Sequence, residues 1–149
     1  MPDLDLEGIV TAVFDVLAAD AGTKSINWEK GRFTPYNLRS FPAGGVSLGP
    51  GTELGWATIP SGFGGTVAIR IMLWTSKHEG LAEAEAAIQD LLGKVYAALF
   101  KDVNRTLNVA SYSTKPWILN AVTQEVQSNI EFTPPHAEAA VIVSYQVRK

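Results

Sequence analysis

The sequence predicts an α+β domain: one mixed, mostly antiparallel sheet with two helices packed on a single face and a long glycine-rich loop. Two observations carry this expectation. Residues of about 4–20 and 77–100 repeat apolar side chains at steps of three and four, the spacing of a helix that buries one stripe. Residues 66–75, 122–132 and 139–147 alternate with a period of two, as strands do. The length of 149 residues fits one domain over the whole chain, 1–149. Folding a chain of this size buries roughly two thirds of its unfolded surface, enough for one core.

The first helix places Leu6, Ile9, Val10, Val13, Phe14 and Leu17 on one face and Glu7, Thr11, Asp15 and Asp20 on the other. Asp3 is a capping residue by type, acidic residues suit the positive N-terminal end, and Gly22 marks a stop. Residues 24–42 suggest one or two short strands about a turn at Lys30-Gly31, with Pro35 and Pro42 arguing for an edge position. Residues 43–65 differ in kind: eight of the chain's 13 glycines fall there. We read them as a long flexible loop. It carries Leu48, Leu54, Trp56, Ile59 and Phe63, so it is not a polar linker. Apolar side chains on such a loop suggest a segment that orders against a partner or a second copy, with plain disorder as the alternative.

Residues 66–75 form the clearest strand, with Val67, Ile69, Ile71 and Leu73 facing one way and Ala68, Arg70, Met72 and Trp74 the other. Two apolar faces suit a central strand. Ser76 and Glu79 have the spacing of a capping box. The second helix then buries Leu81, Ala84, Ile88, Leu91, Leu92, Val95 and Leu99. Gly93 lowers helix propensity and suggests a close approach by another element. A short strand at about Leu107–Ser113 follows. The alternating runs on either side of Thr133-Pro134-Pro135-His136 read as an antiparallel hairpin. The strand–helix–strand section is expected to cross over right-handed.

Composition excludes more than it selects. Lys and Arg number 12 against 15 Asp and Glu, a formal charge of −3, which lacks the electropositive footprint of general nucleic-acid binding. Cysteine is absent, which removes disulfides, zinc ribbons and thiol catalysis. The acidic N-terminus lacks the pattern of a signal peptide, and no run approaches the ~20 apolar residues of a membrane span. His78 and His136 stand alone, without metal-ligand spacing. The carboxylates at Glu79, Glu83, Glu85 and Asp90 have the spacing of a solvated helix face. The glycine-rich segment has no phosphate-loop motif, and no Lys or Arg lies between Arg39 and Arg70, so a phosphate cradle is disfavoured. We therefore expect no enzyme and no cofactor. Arg70, mid-strand, needs a carboxylate partner if buried; otherwise its face borders solvent or an interface. With the five apolar loop residues it completes the candidate assembly surface.

The run Val67-Ala68-Ile69-Arg70-Ile71-Met72-Leu73-Trp74-Thr75-Ser76, the alanine-rich helix from Leu81 to Ile88 and the last strand Ala139–Val147 resemble the tail-terminator (tail-completion) proteins of tailed bacteriophages. The resemblance covers about 100 residues and is most specific over 67–92. It implies a structural virion protein: a ring of six copies that ends tail-tube polymerisation and provides the head–tail joining surface. The implied partners are other copies of the chain, the tail tube protein and a head-completion or neck protein, with passive contact with DNA in the lumen and no membrane. The implied location is the virion tail or neck, after assembly in the host cytoplasm. The alternatives are a small homo-oligomeric α+β enzyme or ligand-binding domain with a pocket between sheet and helices, and another neck or tail-tube component.

Overall fold

The computed structural model describes residues 6–31, 41–50, 52–56, 63–76, 81–101, 104, 107, 118–133 and 136–148. Helix α1 (Leu6–Ala19) buries Ile9, Ala12, Val13, Val16 and Leu17, the face that the apolar spacing marks. Its stop is made by Asp20 rather than by a left-handed glycine. The Asp20 carbonyl accepts from the Thr23 and Lys24 amides, and its carboxylate accepts from the Gly22 amide at 3.0 Å. Gly22 has no positive φ. The Lys101 ammonium pairs with the same carboxylate and holds its pKa below the usual aspartate value.

Strand β1 (Asn27–Lys30) runs parallel to β2 (Ala43–Leu48) at the sheet edge, where the two prolines placed it. Gly31, at φ 77°, closes the strand. The second strand expected before Pro42 lies outside the described residues. β4 (Phe63–Ser76) pairs antiparallel with β2, with β3 (Glu53–Trp56) and with β6 (His136–Arg148); β5 (Ile118–Thr133) completes the sheet against β6. The strand order is β1-β2-β4-β6-β5. β4 and β5 both oppose β6, so they run parallel to each other with β6 between them. The expected Pro-Pro hairpin is present, with Thr133 opposite His136.

The expected loop at 43–65 is corrected by this topology. Ala43–Leu48 is an interior strand between β1 and β4, and Ala43 and Val46 are fully buried. Its glycines serve close approach as much as freedom. A Cβ on Gly44 would lie 2.3 Å from Cζ3 of Trp28, whose ring covers that position.

Helix α2 (Leu81–Leu99) buries Ala84, Ile88, Leu91, Leu92, Val95, Ala98 and Leu99. Ser76 ends β4 opposite His136, so it is a strand residue; the rest of the expected capping box lies outside the described residues. At Gly93 the expectation of a close neighbour fails: nothing would lie within 4 Å of a Cβ there. The helix ends where the Asn104 side-chain amide donates to the Ala98 carbonyl at 2.8 Å. Leu107 follows in a turn at φ 51°, fully buried; the strand expected from it falls otherwise outside the described residues. Both helices pack on one sheet face, over Val67, Ile69, Ile71, Leu73, Val141, Val143 and Tyr145. No described helix contributes to the second cluster, on the opposite face, where Ala43, Met72 and Trp74 pack with Phe41 and Ala140.

Candidate assembly surface

β2 and β3 lie in succession along one edge of β4. Leu48 opposes Ile69 and Glu53 opposes Thr66, so four residues of this edge, 49–52, face only two, Val67 and Ala68. A bulge of this kind bends the strand it interrupts. Three hydrogen bonds hold it. The Gly49 amide donates to the Ala68 carbonyl at 2.7 Å, and the Ala68 amide donates to Thr52 Oγ1 at 3.1 Å. The Thr52 hydroxyl in turn donates to the Gly49 carbonyl at 3.4 Å. Gly49 is a tight site, since a Cβ there would sit 3.1 Å from the Arg70 amide nitrogen.

Beyond the bulge, β3 pairs with the start of β4, which β6 borders on its other side as far as Gly64. Trp56 opposes Phe63, Gly55 opposes Gly64, and Leu54 opposes Gly65. Leu54, Trp56 and Phe63 therefore occupy register positions on the helix-bearing face of the sheet. β6 ends opposite Gly64, so Phe63 lies past it. Burial on this face of β4 covers Val67 to Leu73, while Gly65 is exposed. Leu48, on the same face, is 44% exposed, the one large exposed apolar side chain among the described residues.

The structure thus brings together four of the expected assembly residues, Leu48, Leu54, Trp56 and Phe63, at one end of one face. Ile59 lies outside the described residues. Arg70 is not part of the group: it opposes Ser47 and Ile142 on the helix-free face and is half-buried. That face holds what the sequence reading missed. Ala140 and Ile142 are half-exposed there beside buried Met72 and Trp74, and the Trp74 indole donates to Glu138 Oε1 at 3.3 Å. The signal was available in the second apolar face of 66–75, which the two helices were not expected to cover.

A cleft of about 260 Å³ lies between α2 and the α1–β1 turn, lined by Gly22, Ser25, Pro42, Thr75, Leu91 and Lys94 among others. Thr75 is buried, and its hydroxyl has no hydrogen-bond partner among the described residues. Lys94 is paired with Asp90 at 3.0 Å. Burial pushes the pKa of the Tyr145 phenol upward, so it stays neutral in the core. No group of three or more His, Cys, Asp or Glu among the described residues is arranged to hold a metal ion. No described helix is long and apolar enough to cross a membrane.

The fold is shared with a chain from the virion of a native gene transfer agent (GTA) particle. The TM-score is 0.60 at 15% identity, over 99% of this chain and 100% of that one. No protein-family model matches the sequence, and no curated protein sequence matches it.

Proposed function

We propose that this chain is a structural protein of a phage-like virion, and within that class a tail terminator. In this reading it forms a ring, of six copies, that caps the head-proximal end of the tail tube and joins it to a head-completion or neck protein. DNA passes through the lumen without being held. The observation that carries the reading is the likeness to the gene-transfer-agent virion chain, which spans both chains almost end to end. A match of that extent means that the two chains share their fold over nearly their whole lengths. The resemblance of residues 67–92 to tail terminators supplies the finer assignment, and exposed Leu48 supplies an apolar side chain of the kind that assembly buries.

The test is twofold. Negative-stain images of the purified protein are expected to show rings. Added to polymerising tail-tube protein, it is expected to halt growth and shorten the length distribution. Monomers that leave tube length unchanged refute the terminator reading. The cleft at Thr75 favours the second reading, a ligand-binding domain, because a buried unpaired hydroxyl invites a hydrogen-bonding guest. Native mass spectrometry of the protein purified from cells separates the two: a stoichiometric small-molecule adduct supports the ligand reading.

A further inference from the structure

The alternation of β4 sends Val67, Ile69, Ile71 and Leu73 into the helix-bearing core, and the next place on that face belongs to Thr75, opposite Ala137. Thr75 is 4% exposed, and its hydroxyl has no hydrogen-bond partner among the described residues. Valine has the same shape without the oxygen, and a buried hydroxyl left unpaired costs stability. The oxygen is therefore a cost to the fold. Thr75 also stands where the core opens, because it lines the cleft of about 260 Å³ between α2 and the α1–β1 turn. We infer that this cleft binds a small uncharged molecule with an apolar body, which hydrogen-bonds to the Thr75 hydroxyl.

The walls set the chemical class. Phe41 and Pro42, before β2, and Ala87 and Leu91, on α2, supply apolar surface. An engineered apolar cavity of about 150 Å³ takes benzene, so this cleft has room for a ring with a polar group attached. Asp90 and Lys94 are the charged residues among those that line it, and they pair with each other at 3.0 Å, with side chains 64% and 47% exposed. Their charges are spent at the rim. A guest ion would be buried without a counter-charge, which is costly, whereas a neutral guest avoids that cost. In the free protein the Thr75 oxygen is closed to solvent; rotation about χ1 between staggered wells brings it to a guest.

The inference rests on the ligand-binding reading of the cleft and names its guest; the virion assignment is untouched by it. Benzamide and benzyl alcohol serve as uncharged probes, and benzoate and benzylammonium as charged ones of similar size. Each is titrated into the full chain and followed by amide NMR shifts. The expected result is saturable shifts of the Gly22, Thr75 and Leu91 amides with the uncharged pair, and binding at least about tenfold weaker for the charged pair. Thr75→Val is expected to weaken the uncharged probes about two- to tenfold, at a melting temperature equal to or above wild type. Equal or tighter binding of a charged probe overturns the proposed class and leaves the ligand reading in place. The same follows if the uncharged probes give no shifts while the purified protein carries a small-molecule adduct in native mass spectrometry. Absence of both shifts and adduct overturns the inference and the ligand reading together. A Thr75→Val protein that binds the uncharged probes like wild type overturns the inference. One that melts below wild type does so too, because the hydroxyl then serves the fold. Ala87→Leu, which fills the cleft from α2, is the second variant: binding is expected to be lost at unchanged circular dichroism, and binding retained overturns the inference.

Discussion

Gly44 offers the sharpest test of how the glycine-rich stretch is used. A methyl group at this position would meet the six-membered ring of Trp28 at 2.3, 2.5 and 2.9 Å. These distances are far below any real contact, so the ring must move. Trp28 is tethered by its indole N–H, which donates to the Thr23 carbonyl at 2.9 Å. Overpacking of this kind costs about 1–3 kcal/mol, and loss of the tether adds about 1 kcal/mol. The lower entropy of the unfolded alanine chain returns about 0.4–1 kcal/mol. Gly44→Ala is therefore expected to destabilise by about 1–3 kcal/mol. At roughly 2–4 °C per kcal/mol for a domain of this size, the melting temperature falls by roughly 2–12 °C. Gly93→Ala is the internal control. That site is exposed and open within 4 Å, so the substitution is expected to stabilise by up to about 1 kcal/mol. Thermal melts followed by circular dichroism measure both. A double variant, Gly44→Ala with Trp28→Ala, isolates the cause, because removing the ring removes the clash. If Gly44→Ala melts with wild type, or if its cost persists without the Trp28 ring, the close-packing argument is wrong.

Leu92, 7% exposed on the stripe between Ile88 and Val95, is expected to cost about 2–5 kcal/mol on Leu92→Ala, against under about 0.5 kcal/mol for exposed Gln89→Ala; chemical denaturation compares them. The Asp20 carboxylate, held below its usual pKa chiefly by the Lys101 hydrogen bond, contributes stability that is complete above the unfolded aspartate pKa of about 3.9 and lost as pH falls through the folded value. Asp20→Asn is thus expected to lower the melting temperature at pH 7 and to approach wild type as pH falls through the folded value; a difference independent of pH refutes the linkage. Deleting 45–62 is expected to unfold the domain, since it removes the interior strand through Val46, and retained far-ultraviolet circular dichroism refutes that. Finally, a labelled duplex titrated at two salt concentrations is expected to show no anisotropy change near physiological salt, where nonspecific binders reach ~10⁻⁴–10⁻⁶ M; micromolar binding with a steep salt slope counts against a passive lumen.

What the sequence made legible and what it hid divide along a physical line. Helix α2 was readable because its buried residues sit on one face and its acidic residues on the other, a pattern that needs no knowledge of the neighbours. The same holds for β4, whose alternation survives in the register from Val67 to Leu73. β2 was hidden because the glycine signal is ambiguous. Glycine in a turn and glycine under an indole ring look alike in one dimension, and only Trp28, sixteen residues away, distinguishes them. Gly93 misled in the opposite sense: the residue that looked chosen for contact touches nothing, while Gly44 and Gly49 are chosen for contact. The assembly residues follow the same logic. Leu48, Leu54, Trp56 and Phe63 could be named from their type, since apolar side chains in a glycine-rich stretch need cover. Their separation from Arg70 onto the other face required the register. A sheet with helices on one side only must answer for its second side. The apolar alternation through Ala68, Met72 and Trp74 already stated that demand, and among the described residues Phe41 and Ala140 meet it at one end of the strand. Further along, Ile142 and Arg70 remain half-exposed.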